Sequence, residues 1–197
     1  MITARGVVTA AGAATLAAGL VGVGRQRSEL QRVRRGELRP ASAASVLDPV
    51  RPPGHIGTAA AAWQPRRPRT RAGRVAVALW AAPLTVPGLA LAALGGAVPR
   101  WHPEHACLVA AGVRGPSGAA LAAVGADANT IGQVVLARDP DPSPVLLAHE
   151  AAHVRQSERL GPLLLPAYVW LAARYGYRDH PLERAARRSA RSVTGGR

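Results

Sequence analysis

Residues 143–161 read SPVLLAHEAAHVRQSERLG and are bounded by recognisable helix signals. Ser143 can cap the first turn, and Pro144 suits a position where the backbone N–H has no partner within a helix. Gly161 followed by a proline is typical of a helix end. The stretch therefore predicts one helix with clear limits at both ends.

The predicted helix carries His149, Glu150 and His153 as an HExxH motif. Side chains four positions apart lie one turn apart on the same side of a helix, so the two imidazoles can hold one zinc ion. Glu150 lies beside that face, where a carboxylate can take a proton from a metal-bound water as it attacks a carbonyl. The alternative is an amphipathic helix with ordinary polar histidines. Burying these three side chains beside Leu146 would then be costly, because they would lack a partner.

Composition excludes several kinds of site. The 197 residues carry a formal net charge of +14, and no lysine is present, which excludes a P-loop lysine, a Schiff-base lysine and a Ser-Lys dyad. Cys107 is the only cysteine, so an intramolecular disulfide and a cysteine-rich zinc site are excluded. Any metal must be held by histidine and carboxylate. With no phenylalanine, we expect leucine, valine and the four tryptophans to build the core.

Changes in composition divide the chain into three regions. Residues 1–74 are basic and rich in proline and alanine, and we expect them to be largely disordered, with a weak apolar stretch at 6–24 that could be signal-like or enter a membrane. Residues 75–99 are uncharged and contain Pro83 and Pro87, which leaves open a shallow membrane hairpin, a kinked span or a helical pair inside a soluble domain. Residues 100–197 are expected to hold the domain with the motif. We therefore expect membrane association with lipid as a partner, on an undetermined side.

Two short strands are predicted upstream of the motif, at 106–111 and 130–137. The second is the candidate edge strand that would align an extended peptide beside the helix. The preceding segment WHPEHAC brings His102, His105 and Cys107 close enough to consider a second metal site, although a free cysteine is usually an inert small hydrophobe.

Downstream, the apolar stretch 162–177 is too short to cross a membrane. It predicts a helix that packs over the motif or lies at a membrane interface, with Tyr168 and Trp170 at headgroup level. A final helix is predicted from Pro181, and its Glu183, thirty positions after His153, is the candidate third metal ligand. The alternative role of Glu183 is a first-turn acid that stabilises the helix dipole.

Other polar residues near the last helix are candidates for supporting roles. Asp179 and His180 are rival ligands or partners of the ligands. Three side chains are open candidates for stabilising an oxyanion: Tyr175, Tyr177 and His180.

With His149-Glu150-x-x-His153 and Glu183-x-x-Ala186, the chain resembles the gluzincin branch of zinc metallopeptidases. The resemblance implies an α+β fold in which an active helix and a glutamate-bearing helix pack against a small sheet. HEAAHVRQSERLGPLLLPAYVW and YRDHPLERAARR resemble more closely an uncharacterised group of bacterial membrane-associated HExxHxxQ proteins, over residues 75–191. By this resemblance His149, His153 and Glu183 hold Zn²⁺, Glu150 is the base, and Gln156 matches the group's glutamine and orients a neighbour.

The sequence thus predicts a membrane-associated zinc-dependent hydrolase, a peptidase acting on a peptide or protein substrate. The first alternative is a catalytically inactive zincin-like scaffold or binding protein at the membrane. A further alternative, supported by charge alone, is an arginine-rich binder of anionic lipid or nucleic acid. Nucleic acid is the less expected partner, because aromatic residues are almost absent from the basic segment.

Overall fold

The computed structural model describes residues 47–194 and, before them, residues 21, 24–25, 27–39 and 41–43. Most of the predicted apolar stretch at 6–24 lies outside these described residues. Within 47–194 there are six α-helices and four strands. In chain order the elements are α1 (Gly54–Ala62), α2 (Arg71–Leu94), β1 (Arg100–His102), β2 (Cys107–Ala111), α3 (Gly115–Ala123), β3 (Ala128–Ile131), β4 (Val134–Ala137), α4 (Pro144–Leu160), a 3-10 turn (Gly161–Leu163), α5 (Leu164–Tyr175) and α6 (Pro181–Thr194).

The four strands form one mixed sheet in the order β1-β2-β4-β3. The outer pairs, β1 with β2 and β3 with β4, are antiparallel, whereas β2 and β4 run parallel. This arrangement confirms the predicted α+β class. The prediction of a single strand at 130–137 is wrong, because Gly132 adopts a positive φ of 65° and turns the chain between β3 and β4. The edge strand on this side of the sheet is therefore β3, and β4 lies inside the sheet.

The helix α4 begins and ends where the sequence predicts. The Ser143 hydroxyl accepts a hydrogen bond from the backbone N–H of Leu146 at 3.3 Å, and Gly161 closes the helix with a φ of 52°. On this helix the side chain of Arg155 is only 12% exposed, although arginine usually lies in solvent. Its guanidinium donates to the carbonyl oxygens of His105 and Ala106 at 3.0 and 2.8 Å and pairs with Glu158.

The core lies on both faces of the sheet and is built from alanine, valine and leucine. Val134 and Leu136 pack on one face with Ala92 of α2, while Val135 packs on the other face with Val154 of α4. The expected tryptophan contribution is wrong, since Trp80, Trp101 and Trp170 are each about half exposed. Helix α2 approaches the sheet too closely for large rings. A side chain at Gly88, for example, would collide with the carbonyl oxygen of Ile131.

The apolar segment forms the single helix α2, which continues through Pro83 and Pro87, so neither a hairpin nor a helical pair is present. Among the described residues, α2 is the one helix long and apolar enough to span a membrane. It also contributes to the core, so residues 75–99 pack as part of the same body as the sheet.

The segment 1–74 is predicted to be largely disordered, but part of it is ordered. Helix α1 packs against α6, and the Gln64 amide donates to the carbonyl oxygen of Ala185 at 2.8 Å. Residues 27–34 are also helical. Composition did not predict this order, because it depends on a surface that a distant helix provides.

Candidate metal centre

Two helices bring the three candidate ligands together. His149 and His153 project from α4, and Glu183 projects from the first turn of α6. The helices lie close because α6 presents small buried residues, among them Ala185 and Ala186. All three ligand candidates are nearly inaccessible to solvent, with 4% exposure for Glu183 and 6% for His149.

The donor atoms form a compact triangle. The two Nε2 atoms of His149 and His153 are 3.2 Å apart. His153 Nε2 lies 3.2 Å from Glu183 Oε1, and His149 Nε2 lies 3.3 Å from Glu183 Oε2. In a tetrahedral zinc site with bonds of about 2.0–2.1 Å, neighbouring donors are about 3.3–3.4 Å apart. The three residues therefore fit a zinc ion.

An unsatisfied oxygen supports the same fit. Glu183 Oε2 is buried and has no hydrogen-bond donor among the described residues. A buried carboxylate oxygen without a donor is costly, and a cation at the centre of the triangle would remove that cost.

Gln156 fixes the orientation of one ligand. His153 Nδ1 lies 2.9 Å from the amide oxygen of Gln156, whose own NH₂ group donates to the carbonyl oxygen of Leu182 at 3.2 Å. Because an amide oxygen only accepts hydrogen bonds, Nδ1 of His153 carries the hydrogen, and in the neutral imidazole Nε2 is left with its lone pair. Gln156 thus links α4 to α6 while directing His153 towards the triangle.

Tyr168 holds the carboxylate ligand, a role that the sequence did not indicate. Its hydroxyl donates to Glu183 Oε1 at 2.7 Å. Burial, together with the neighbouring Glu183 charge, raises the pKa of Tyr168 well above its usual value. The prediction of Tyr168 at headgroup level is therefore wrong, because the helix α5 turns this side chain inward; of the two aromatic residues, Trp170 is the exposed one.

The ligands perturb one another's ionisation. Burial alone would lower the pKa of His153, but the adjacent Glu183 carboxylate raises it to about 9 in the metal-free protein. Burial alone would raise the pKa of Glu183, but the positive charge of His153 holds it well below its usual range. In the absence of a metal, a proton on His153 therefore compensates the buried carboxylate.

Glu150 is held beside the triangle by the sheet edge. The hydroxyl of Thr130, on β3, donates to Glu150 Oε2 at 2.6 Å. Glu150, the three ligand candidates and Tyr177 all line one cavity of about 550 Å³. The contact from Thr130 was not predicted, because no spacing along the chain relates this strand residue to the motif.

The N-terminal segment forms one wall of this cavity. Leu30, Val33 and Leu38 line it, and the Glu29 carboxylate accepts hydrogen bonds from the backbone N–H groups of Tyr177 and Arg178 at 3.1 and 3.0 Å. Burial raises the pKa of Glu29. Residues 29–39 and Ala41 therefore cover part of the cavity that contains the ligand candidates.

Comparisons of the chain with protein-family models, curated proteins and solved structures gave no match. The function of the chain is therefore inferred from its own residues.

The two rival ligands lie apart from the donor triangle. His180 stacks on the ring of Tyr168 with centroids 4.1 Å apart, and its Nε2 lies 3.0 Å from the carbonyl oxygen of that residue. Burial lowers the pKa of His180 to about 4. The Asp179 carboxylate accepts hydrogen bonds from the backbone N–H groups of Val50 and Arg51, which draws it towards the N-terminal segment. His180 thus packs against Tyr168, which in turn contacts Glu183. Asp179 instead holds the backbone at Val50 and Arg51.

Of the three candidates for oxyanion stabilisation, Tyr177 lines the cavity, whereas Tyr175 and His180 do not. The Glu183 charge and burial raise the pKa of Tyr177, so its phenol stays protonated. The hydroxyl of Tyr175 faces α1 instead, where it lies against Gly57. Arg187, buried on α6, lies 5.6 Å from the Tyr177 ring and donates to the carbonyl oxygen of Arg178 at 2.7 Å, which holds the turn that carries Tyr177.

The second candidate cluster consists of His102, Glu104 and His105, on a partly exposed turn. The two imidazoles stack with centroids 5.0 Å apart, and His102 Nδ1 already accepts the backbone N–H of His105 at 3.4 Å. Cys107 does not belong to this group, since β2 directs it into the core, where burial raises the pKa of its thiol to about 11. The expectation of a His102, His105 and Cys107 site is not met.

Proposed function

We propose that the chain is a zinc-dependent hydrolase of peptide bonds that acts at a membrane. The observation that carries this proposal is the buried triangle of His149, His153 and Glu183, with Glu150 beside it in the same cavity. Two histidines and one carboxylate are the protein ligands of a known class of catalytic zinc sites, which keep a fourth position open. Helix α4 packs against the small mixed sheet on one side and against the glutamate-bearing helix α6 on another, which supports a gluzincin-like arrangement.

Zinc held by these residues would supply Lewis acidity, which polarises a carbonyl oxygen and lowers the pKa of a bound water. Glu150 would receive the proton at Oε1, because the Thr130 hydroxyl holds Oε2, and would return it to the departing amine. Gln156 and Tyr168 keep His153 and Glu183 in place. Tyr177, the oxyanion candidate that lines the cavity, would donate its phenolic hydrogen to the developing negative charge.

The neighbouring edge strand gives a reason to expect a peptide substrate. Strand β3 lies beside α4 and is paired only with β4 among the described strands. An extended peptide could add to its open side through main-chain hydrogen bonds, which would bring a scissile bond near Glu150.

The test is hydrolysis of a peptide library by the zinc-loaded protein, with Glu150→Gln as the diagnostic variant. Loss of a general base is expected to lower the rate by about 10²–10⁴-fold, while bound zinc stays at the wild-type level. Glu104→Gln is the matched control, because it removes an exposed acid outside the cavity and should leave the rate unchanged. Equal activity of wild type and Glu150→Gln would reject the mechanism.

A second candidate function is a non-catalytic zinc-binding scaffold at the membrane. It is favoured by the N-terminal segment, whose residues 29–39 and Ala41 form a wall of the cavity and reduce access to Glu150. This alternative predicts stoichiometric zinc binding without hydrolysis of any library peptide, by the wild type or by a variant in which Glu29→Ala releases that segment.

A further inference from the structure

Helix α2 has an unusual distribution of side-chain size. Its buried residues are small, namely Ala81, Gly88 and Ala92. Four of its large apolar residues share an outward face and are between 39% and 70% exposed; we call them the outer stripe, which consists of Val75, Leu79, Val86 and Leu89. At 3.6 residues per turn these four side chains fall within about 80° of one another. A soluble protein would normally place such residues inside, so the outer stripe marks an interaction surface.

The stripe does not end at α2. The 3-10 turn after α4 packs against α2, and the Trp80 indole donates to the carbonyl oxygen of Arg159 at 3.3 Å, next to that turn. Beyond it Leu163, Leu165 and Trp170 are 60%, 57% and 49% exposed. Trp80 and Trp170, both about half exposed, therefore belong to an apolar surface that α2, the 3-10 turn and α5 form together.

The opposite side of α2 is occupied along most of its length. The Thr85 hydroxyl accepts the backbone N–H of Gln133 at 3.1 Å, and the Ser117 hydroxyl donates to the carbonyl oxygen of Leu91 at 2.6 Å. The edge strand β3 also packs against the helix. If α2 crossed a bilayer, it would carry this open sheet edge into the hydrocarbon, where unpaired backbone groups are not tolerated. A spanning orientation is therefore incompatible with the packing.

The distribution of charged residues favours an anionic membrane as the partner of this apolar surface. No acidic residue occurs between Asp48 and Glu104, or between Glu158 and Asp179. The same two stretches contain ten arginines: Arg51, Arg66, Arg67, Arg69, Arg71, Arg74, Arg100, Arg159, Arg174 and Arg178. Five of these arginines lie in or directly beside the elements that form the apolar surface: Arg71 and Arg74 in the first turn of α2, Arg100 in β1, Arg159 at the end of α4 and Arg174 in α5. We call these five the arginine rim, and such a group of cations attracts anionic lipid headgroups. It disfavours a second copy of the chain, because two identical rims would repel each other across the contact.

We propose that α2 lies in the plane of an anionic membrane surface, with the outer stripe in the acyl region and the arginine rim among the headgroups. Trp80 and Trp170 then lie at headgroup depth, where tryptophan is enriched. This inference deepens the membrane part of the proposed function and is independent of the metal chemistry. The attached protein is monotopic, and α2 does not reach the opposite leaflet.

Vesicle flotation of the full chain tests the attachment. The protein should float with vesicles of phosphatidylglycerol and phosphatidylcholine, and at least about tenfold less with phosphatidylcholine alone. Replacing the stripe by Val75→Ser, Leu79→Ser and Val86→Ser should lower the partition coefficient about a hundredfold or more. The matched control carries three serines at exposed small positions of the same helix, Ala72→Ser, Ala76→Ser and Ala90→Ser, and should bind like wild type.

The orientation is tested by labelling with a membrane-impermeant maleimide on intact vesicles to which folded protein is added. Cysteines are introduced one at a time as Ala72→Cys and Val98→Cys, which lie beside the two ends of α2. The unsubstituted chain is the control for background labelling, because its Cys107 is buried. Both sites should react without detergent. Protection of one site until the vesicles are lysed would show a span and overturn the proposal.

Two further outcomes would also overturn it. One is flotation of the stripe variant at the level of the alanine-to-serine control. The other is a concentration-dependent dimer in which neither introduced cysteine reacts with maleimide in the absence of vesicles. Repeating flotation with His149→Ala keeps the result separate from zinc binding. Loss of zinc with unchanged flotation is the expected result, because it would show that membrane attachment does not depend on the metal site. The attachment would then stand even if equal activity of wild type and Glu150→Gln rejected the proposed enzyme.

Discussion

The described part of the molecule contains two clusters of two histidines and one glutamate, and these clusters differ in burial and in the partners of their side chains. His149, His153 and Glu183 are brought from two helices into a buried triangle, and partners outside it hold two of the ligands. His102, Glu104 and His105 come from one short turn, where one imidazole nitrogen is already used by the backbone and the acid is exposed.

The difference shows what makes a metal centre beyond its ligand types. In the first cluster, Gln156 determines which imidazole nitrogen faces the triangle, and burial leaves a carboxylate oxygen unsatisfied. In the second cluster, water can satisfy the side chains, so a bound ion would add little stability to the turn. We therefore expect the first cluster, which we call the buried triad, to bind zinc far more strongly than the surface trio of His102, Glu104 and His105.

The strongest test of this difference is zinc stoichiometry. His149→Ala or His153→Ala should reduce bound zinc from about one ion per chain to nearly none, because a three-ligand site that loses one imidazole cannot complete its coordination. His102→Ala and His105→Ala are the matched controls and should retain the ion. Metal analysis after gel filtration measures all four. If the surface variants lose as much zinc as the triad variants, the comparison fails.

Much of the buried triad was predictable because its main signals are local. The HExxH spacing, the Ser143 cap and Gly161 lie within one helix, and their geometry follows from helical periodicity. Glu183 was identified as a candidate because the small residues that follow it allow a close helix contact. These inferences required no knowledge of the sheet.

The supporting residues were not predictable in the same way. Thr130 reaches Glu150 from a strand edge that the sequence placed wrongly, since the turn at Gly132 was read as part of one strand. Tyr168 reaches Glu183 from a helix whose composition suggested a membrane interface. Each contact joins elements far apart in the chain, so its existence depends on tertiary packing and leaves no periodic signal.

A second large difference concerns protonation in the metal-free protein. His153 should titrate near pH 9, because the Glu183 carboxylate raises its pKa, whereas burial and the neighbouring His102 lower the pKa of His105 below its ordinary value of 6.5. The stabilisation from protonated His153 is then fully present below about pH 6.5 and is lost as the pH rises through 9. NMR titration of the imidazole protons checks both values, and urea unfolding between these pH values checks the trend. An ordinary pKa for His153 would contradict the triad geometry.

An intermediate effect is expected when the partner of a ligand is removed. Gln156→Leu should lower zinc affinity about 10–100-fold, because His153 loses the acceptor that fixes its tautomer. Gln133→Leu is the control, since the Gln133 amide also contacts α4, at Glu158, but touches no member of the triad. Competition with a chromophoric chelator measures both affinities. Equal losses would show that Gln156 acts through general stability.

The smallest effect should follow removal of the hydroxyl that holds the carboxylate. Tyr168→Phe keeps the buried ring and its stacking on His180 but deprives Glu183 Oε1 of its 2.7 Å hydrogen bond. A net loss of about 1 kcal/mol corresponds to roughly fivefold weaker zinc binding. Tyr175→Phe, the control, removes a hydroxyl that lies against Gly57 of α1 and should leave the affinity unchanged. Because zinc binding is weaker in the variant, the unfolding free energy of the zinc-loaded protein should fall by about 1 kcal/mol more than that of the metal-free protein. Equal losses in the two states would mean that Tyr168 contributes to packing alone.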